Sequence, residues 1–244
     1  MSVDVVVVVP AHDEEERVAT TVLDVRRALA HARRLGEVRR SRVVVVAHRC
    51  TDRTAVRAAG ALATDGEVLV DERAATVGEV RDHGVRVALA RVGADGGDPA
   101  ATWVLCTDAD TRVPVGWVAD VLRCAAASRA VGVVGLAGLS DRLLPAHARA
   151  AYRRLVAAKL RDTSGLDQHG HVYGANLAVR ADAYLAVGGF PRVRVGEDQA
   201  LVDALTAAGL PLARTGRVRV HTSARLVGRA AGGLADELAG LVRG

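Results

Sequence analysis

Residues 3–17 read VDVVVVVPAHDEEER, and this stretch gives the strongest indication of the fold that the chain is expected to adopt. Its first seven residues are apolar except for one aspartate, and such a continuous run is typical of a buried parallel strand. Pro10 ends the run. The acids Asp13 to Glu16 then suit the first turn of a helix, where the dipole favours negative charge, and this helix is predicted to extend to about Leu35.

Strands and helices alternate along the chain when the pattern is followed outward from this stretch. Further strands are predicted over residues 42–47, 67–71, 102–107, 131–139, 172–179 and 217–221. Further helices are predicted from Thr51 or Asp52 to Ala63 and over residues 77–92 (with Gly84 inside), 116–128, 146–161, 181–187 and 198–208. The alternation implies right-handed crossovers, and therefore an α/β fold with a mostly parallel central sheet and helices on both faces.

Polar residues directly follow three of the predicted strands. They are His12 to Glu14 after the first strand, His48 to Asp52 after the second and Asp108 to Asp110 after the fourth. In open α/β sheets, ligands bind at the carboxyl ends of the strands. A single active site at that edge of the sheet is therefore expected.

The composition is that of a globular protein, with 50% apolar and 25% charged residues among 244. A net charge of +5 is compatible with anionic partners, but only 2% of the residues are aromatic, which argues against nucleic-acid binding through base stacking. Three widely spaced cysteines without a C-x-x-C pair argue against a disulfide framework or a zinc site. The sequence has no signal-peptide pattern and no apolar stretch of about 18 residues, so a cytoplasmic protein is expected.

Asp108 and Asp110 form a D-x-D pair at the end of an apolar strand. Two carboxylates at this spacing can hold a hard divalent cation, Mn²⁺ or Mg²⁺, against a diphosphate. These ions prefer oxygen ligands and keep coordination positions for phosphate. The alternative interpretation is a turn with solvated acidic side chains.

Glu197 and Asp198 follow Gly196 and begin a predicted helix. A carboxylate here is a candidate general base for an attacking hydroxyl group, although acids at a helix start are also ordinary N-caps. His221 ends the last predicted strand, where it is either a metal ligand or a surface or core histidine.

Six segments, taken together and in order, resemble the family 2 glycosyltransferases of the nucleotide-diphospho-sugar transferase superfamily, which have the GT-A fold. VVVVVPAHDEEER resembles the family's first strand with its P-A-x-N-E-E turn, and VVVVAHRCTDRTA its second strand with an S/C-x-D-x-T helix start. GEVRDHG resembles its G-x-x-R-x-x-G helix, and TDAD its D-x-D motif. HVYGANLAVRADAYLAVGGF resembles its acceptor-side segment and GEDQ its E-D motif, so the match covers about residues 3–225.

The resemblance implies a metal-dependent, inverting, hexosyltransferase-like enzyme that moves a sugar from a nucleotide-diphosphate sugar to an acceptor hydroxyl. The residues implied in donor binding are Pro10, Ala11, His12, Glu14, His48, Arg81, Asp108 and Ala109. The implied ligands of Mn²⁺ or Mg²⁺ are Asp110, Asp108 and His221. Asp198 is implied as the general base with Glu197 in support, and the acceptor side as Tyr173, Gly174, Ala175 and Asn176.

Two positions depart from the family pattern. Asp13 stands where the family usually has asparagine, and His48 stands where relatives commonly have an aspartate that binds the base. A neutral histidine can still accept or donate one hydrogen bond. A donor of the UDP or GDP type is expected, with the base left open between them.

The chain is interpreted as one domain over residues 1–227, with a nucleotide-binding half at 1–110, an acceptor-binding half at 111–227 and a tail at 228–244. Residues 142–161 hold six Arg and Lys residues, which predict either a solvated basic helix face or a peripheral contact with a membrane surface. The sequence does not identify the acceptor.

Two other functions are alternatives for this sequence. A nucleotidyltransferase would need a glycine-rich, basic loop for a triphosphate after the first strand, whereas this chain has the acidic AHDEEER. A non-catalytic sugar-nucleotide binding protein is the second alternative, and the presence of both Asp110 and Asp198 argues against it.

Overall fold

The computed structural model describes residues 2–62, 64–140, 150, 152, 154 and 172–223. Its strands are β1 (Val3–Ala11), β2 (Val38–His48), β3 (Gly66–Asp71), β4 (Thr102–Cys106), β5 (Gly132–Ser140), β6 (Leu177–Arg180) and β7 (Leu212–Ser223). The helices bounded within the described residues are α1 (Val18–Arg34), α2 (Thr54–Ala61), α3 (Val77–Ala94), α4 (Trp117–Ser128), α5 (Ala181–Ala186) and α6 (Glu197–Ala207). Short 3₁₀ turns at Pro99–Ala101 and Gly174–Asn176 precede β4 and β6.

The seven strands form one sheet in the order β3-β2-β1-β4-β6-β5-β7. Neighbouring strands are parallel, except that β6 runs antiparallel to both β4 and β5. The predicted α/β fold with a mostly parallel sheet is therefore confirmed, and both predicted halves of the chain contribute strands to it.

β1 packs against helices on both of its faces. Val5, Val7 and Val9 belong to a core that also contains residues of α1, α2 and α4. Val6 and Val8 belong to a second core with residues of α3, α5 and α6. Because successive side chains of a strand point to opposite faces, a strand covered on both sides reads as an unbroken apolar run.

Asp4 is the single charge within that run, and it is buried. Two neighbouring arginines of β2 bind its carboxylate, Arg39 and Arg40, each through a guanidinium nitrogen at 2.8 Å from Oδ2. Burial alone would raise the pKa of Asp4, but these hydrogen bonds outweigh it and hold the pKa at about 2.

Gly84 lies where α3 comes closest to the sheet. A Cβ atom at this position would be 2.6 Å from Cγ1 of Val8 and 2.7 Å from Cγ2 of Val46. Glycine weakens a helix by about 1 kcal/mol relative to alanine. The close packing of α3 against β1 and β2 explains why this helix contains one nonetheless.

The first helix begins later than predicted, at Val18, and its first turn contains no acidic residue. The acids instead join the loop after β1 to the loop after β2. Oδ1 of Asp13 accepts the N–H of Thr51 at 2.7 Å, and Oε2 of Glu15 accepts the N–H of Arg53 at 3.1 Å. The local pattern was misleading because the partners of these carboxylates lie in another loop.

Other boundaries differ by a few residues. α2 begins at Thr54, whose N–H donates to Oδ1 of Asp52 at 2.9 Å, and it ends at Ala61. β2 and β7 extend beyond the predicted strands, at 38–48 and 212–223. Within the predicted helix 146–161, only residues 150, 152 and 154 are described, and they are helical. The predicted tail at 228–244 lies outside the described residues.

The predicted strand 172–179 was wrong in its first half, because Gly174–Asn176 form a tight turn and β6 begins at Leu177. The side chain of Asn176 turns into the core instead of extending along a strand. Its Nδ2 donates to the carbonyl oxygens of Leu136 at 2.9 Å and Val218 at 3.0 Å. The turn therefore depends on β5 and β7.

Asn176→Ala is expected to lower the free energy of unfolding by about 3 kcal/mol or more. Oδ1 of Asn176 also accepts the indole N–H of Trp117 at 2.9 Å, so the change leaves one donor and two carbonyl oxygens buried without partners. Each such group costs about 1–3 kcal/mol. Urea unfolding measures the effect, with Gln199→Ala at an exposed position as the control. A loss below about 1 kcal/mol would contradict this account.

No helix within the described part of the chain is both long enough and apolar enough to cross a membrane.

Candidate active site

The loops after β1 and β2 meet at the carboxyl edge of the sheet. Nδ1 of His12 lies 2.8 Å from the carbonyl oxygen of His48. Pro10 and Ala11, at the end of β1, pair with the end of β2, and Glu14 is buried directly beyond them. The structure thus places at one edge of the sheet the five residues around the ends of β1 and β2 that were predicted for the donor site, namely Pro10, Ala11, His12, Glu14 and His48.

The hydrogen bond of His48 sets its tautomer. Nδ1 lies 3.0 Å from the carbonyl oxygen of Asp71, which can only accept, so Nδ1 carries the hydrogen. In the neutral ring, Nε2 is then a hydrogen-bond acceptor. Nε2 of His48 thus offers a hydrogen-bond acceptor at the position where family 2 glycosyltransferases commonly have an aspartate, whose carboxylate is also an acceptor.

Asp71 and His83 were not predicted as site residues. Nδ1 of His83 lies 2.6 Å from Oδ2 of Asp71. Burial raises the pKa of Asp71, but the N–H groups of Ala74 and Arg73 and the hydrogen bond with His83 outweigh it, so the pKa is about 2. Its position at the carboxyl end of β3 was the sequence signal that could have suggested Asp71, whose carboxylate is bound by its own loop and by His83.

The D-x-D segment forms a turn after β4 that is held by its backbone. The N–H of Thr111 donates to the carbonyl oxygen of Asp108 at 3.0 Å, and the hydroxyl of Thr21 donates to that of Ala109 at 2.8 Å. Ala109 is buried, whereas Asp108 and Asp110 are partly exposed. The turn therefore presents two carboxylates on a fixed backbone.

The backbone of His221 pairs with the segment that follows the D-x-D turn, but the imidazole ring does not contact Asp110. Arg112 and His221 exchange two backbone hydrogen bonds, at 2.7 and 2.9 Å. The hydroxyl of Thr222 does reach this side chain, at 3.3 Å from Oδ1 of Asp110. Neighbouring side chains of a strand point to opposite faces. The exposed His221 ring accordingly lies beside Gly138, where a Cβ would be 3.3 Å from Nδ1.

Among the described residues, only Asp13, Cys50 and Asp52 place three potential metal-binding atoms within 4.8 Å of one another. Burial raises the pKa of the Cys50 thiol, which disfavours the thiolate form that binds metals. The predicted set of two aspartates and His221 is more open. Its chemistry still fits Mn²⁺ or Mg²⁺, because both carboxylates of the turn are oxygen donors with exposed surface.

Arg81 of α3 joins three separate segments at this edge. Nη2 donates to Oδ1 of Asp108 at 2.6 Å, and Nε donates to Oε1 of Glu197 at 3.2 Å. Nη1 donates to the carbonyl oxygen of Gly174 at 3.3 Å. Burial disfavours the charged guanidinium, but Asp108 and Glu197 outweigh this effect and raise the pKa of Arg81 above its ordinary value. The arginine therefore stays charged inside the protein.

Asp198 lies in the first turn of α6, which follows Gly196 with a φ of 79°. Oδ2 of Asp198 accepts the N–H of Gly174 at 2.8 Å, and Oδ1 accepts the N–H of Gln199 at 2.7 Å. The N-cap is Gly196 and no side chain caps the helix, so neither acid of the E-D pair has that role. Asp198 instead contacts the 173–176 turn, and Glu197 binds Arg81.

The four residues predicted for the acceptor side differ in accessibility. Gly174, Ala175 and Asn176 are buried, and Tyr173 is half-buried. Gly174 is the residue through which this turn contacts both Arg81 and Asp198.

No protein-family model matches the chain, and no curated protein matches it in sequence. Its fold is similar to that of mannosyltransferase PcManGT from Pyrobaculum calidifontis in complex with GDP-Man and Mn²⁺, with a TM-score of 0.63 and 18% identity over 92% of this chain and 58% of that one. It is also similar to TarS 1-349 from S. aureus in complex with UDP-GlcNAc, with a TM-score of 0.62 and 14% identity over 99% of this chain and 65% of that one.

These similarities establish a GT-A-like fold, and the chain spans less than two thirds of the length of either protein. One fold can support many activities. The residues at the carboxyl edge of the sheet therefore carry the information about function that the fold does not.

Proposed function

We propose that this chain is a family 2 glycosyltransferase that moves a sugar from a nucleotide-diphosphate sugar to an acceptor hydroxyl. The observation that carries the proposal is one hydrogen-bonded cluster, in which Arg81 and Gly174 join Asp108 to Glu197 and Asp198. This arrangement connects a candidate cation ligand to a candidate base, as a direct displacement requires. The fold shared with a mannosyltransferase bound to GDP-Man and Mn²⁺ supports the same activity.

Asp110, together with Asp108, would hold Mn²⁺ or Mg²⁺, and His221 is the further proposed ligand. When bound, such a cation neutralises negative charge on the departing nucleoside diphosphate. The hydroxyl of Thr222 donates to Oδ1 of Asp110 and so orients this carboxylate before a cation arrives.

Asp198 would accept the proton of the acceptor hydroxyl as that oxygen attacks the sugar, which gives inversion at the anomeric carbon. Two backbone N–H groups hold its carboxylate in one orientation. The neighbouring Glu197 binds Arg81 through Oε1 and is only 13% exposed at its side chain. Of the two acids in the pair, Asp198 is thus the better candidate for the base.

The donor base is proposed to lie against the first two loops, lined by Pro10, Ala11, His12, Glu14 and His48, with Ala109 beside the diphosphate. Because His48 keeps Nε2 as an acceptor, it can receive a ring N–H from the base. Uracil and guanine each have such a group, whereas adenine has an acceptor nitrogen at the corresponding ring position. Thymine has the same ring N–H as uracil, so this chemistry disfavours an ADP donor and is compatible with the UDP or GDP donor that we propose.

The acceptor is an unidentified hydroxyl compound, and Tyr173 is the most exposed of the four residues proposed for its side of the site.

We further propose that residues 1–227 form one catalytic domain and that the protein is cytoplasmic. The basic segment 142–161, proposed as a peripheral membrane contact, lies largely outside the described residues.

Thermal unfolding against UDP-, GDP-, ADP- and TDP-sugars, with and without Mn²⁺, tests the proposal. A ligand at 100 times its dissociation constant adds about 2.7 kcal/mol of stability. For a domain of this size, that corresponds to a rise in Tm of about 5–10 °C. We expect a Mn²⁺-dependent rise with a UDP- or GDP-sugar.

Adding nucleoside triphosphates to this panel, together with an assay of sugar transfer, separates the alternatives. A rise with a nucleoside triphosphate but with none of the sugars would favour a nucleotidyltransferase. Donor binding without transfer to any hydroxyl compound or to water would favour a non-catalytic binding protein. No rise with any nucleotide sugar would refute the proposed donor site.

A further inference from the structure

Arg81 is placed where a ligand cannot easily reach it. Its side chain is 5% exposed, and three of its N–H groups already donate to Asp108, Glu197 and Gly174. A guanidinium has five N–H donors in a fixed planar fork. Two N–H donors are left, but they belong to a side chain that is only 5% exposed, so a diphosphate could reach them only if a neighbouring group moved.

We infer that Arg81 is a positioning residue, which couples the Asp108 turn to the Asp198 base, and that it is not a ligand of the donor. This inference rests on the proposed glycosyltransferase function. It replaces the donor-binding role that the family resemblance implies for Arg81.

Two connections join the guanidinium to Asp198. The first passes through Gly174, whose carbonyl oxygen accepts from Arg81 at 3.3 Å and whose N–H donates to Asp198 at 2.8 Å. The second passes through Glu197, which binds Arg81 at 3.2 Å and is the chain neighbour of Asp198. A shift of the guanidinium would therefore move both supports of the base.

The packing around the guanidinium leaves little space for such a shift. A Cβ atom at Gly174 would lie 2.5 Å from Nη2 and 2.7 Å from Cζ of Arg81. On α3, which also contains Arg81, a Cβ atom at Gly78 would lie 3.0 Å from Cβ of Glu197 and 2.7 Å from the carbonyl oxygen of Pro191. Glycines at these two positions let α3 and the start of α6 approach closely enough for Arg81 to reach both carboxylates.

The charges agree with a positioning role. Asp108 and Glu197 are both acids, and the positive charge of Arg81 lies between them. Arg81 thus holds together two acids that would otherwise repel each other, while its contact with Asp108 uses only Oδ1.

Two substitutions test the inference by different means. Arg81→Lys keeps the charge but loses the planar fork that spans three partners. Gly174→Ala keeps the arginine but places a methyl group against it. The matched controls are on α3: Arg91→Lys at an exposed arginine, and Gly93→Ala at a glycine with no atom within 4 Å of the added carbon.

For both test variants, we expect kcat to fall about 100-fold, as a misplacement near 1 Å can cause. Donor affinity, measured by calorimetry without acceptor and without Mn²⁺ so that Asp108 does not act through a cation, is expected to stay within about threefold, because Arg81 does not touch the donor. The acidic limb of the kcat–pH profile is expected to move, since the charge near Asp198 changes position. The control variants are expected to match the wild type in all three measurements.

A loss of donor affinity of tenfold or more in Arg81→Lys, with Tm unchanged, would overturn the inference and make Arg81 a donor ligand. An unchanged kcat in a folded Gly174→Ala variant would also overturn it, even if Arg81→Lys does not fold. Failure of the wild-type protein to bind any nucleotide sugar would instead refute the proposed function itself.

Discussion

Asp198→Asn is expected to lower the kcat of sugar transfer by about 10²- to 10⁴-fold, the usual effect of losing a general base. This range corresponds to about 3–5 kcal/mol of activation free energy. Asparagine has nearly the same shape as aspartate but cannot take a proton from the acceptor hydroxyl. Its carboxamide oxygen can still accept the N–H of Gly174, so the donor dissociation constant is expected to change by less than about threefold.

Asp203→Asn is the matched control for this experiment. It makes the same chemical change five residues further along α6. The Asp203 carboxylate is exposed and accepts a hydrogen bond from the side chain of Gln199. The control is expected to keep its kcat within about twofold. An unchanged kcat in Asp198→Asn would remove Asp198 as the base, and a loss of donor binding would make it a structural residue. A product with the anomeric configuration of the donor would contradict inversion.

Asp110→Asn should lower kcat/KM at saturating Mn²⁺ by about 10³-fold or more, because a bound cation contributes several kcal/mol through charge stabilisation. The substitution removes the negative charge that would hold the cation. It leaves an oxygen to which the Thr222 hydroxyl can donate, so the turn is expected to keep its conformation. The affinity of the protein for Mn²⁺ alone, measured by electron paramagnetic resonance of the free ion, gives a readout that does not depend on turnover.

Asp120→Asn, at an exposed position on α4, controls for the loss of one surface charge. This variant is expected to bind Mn²⁺ as the wild type does. Equal Mn²⁺ affinity in the wild type and in Asp110→Asn would show that the cation binds elsewhere. The cluster of Asp13, Cys50 and Asp52 would then be the next place to test, with Asp52→Asn.

The class of the fold was predictable because its signals are local. The apolar run of β1 identified a strand buried on both faces, and the structure has helices packed against both. The polar residues after β1, β2 and β4 follow strands whose order in the sheet is β2-β1-β4, so they were expected at one edge. Composition and periodicity are sufficient for such conclusions, since each depends on residues that are close in the chain.

Hydrogen bonds between distant segments were not predictable in the same way. The acids Asp13 and Glu15 suited a helix start, but they bind backbone N–H groups of the next loop. Asn176 suited a strand, but its amide joins β5, β7 and α4 through the core. In each case a local preference was overridden by a partner that only the folded chain supplies.

The sequence alone is sufficient to predict the α/β class, the burial of β1 on both faces and the edge of the sheet at which the conspicuous polar residues lie. The contacts of those residues depend on the tertiary structure. It placed Arg81 between Asp108 and Glu197, brought the Thr222 hydroxyl rather than the His221 ring to Asp110, and joined Gly174 to Asp198. The reason is physical: periodicity records which side of an element is buried, whereas a buried charge is stable only where distant segments supply its partners.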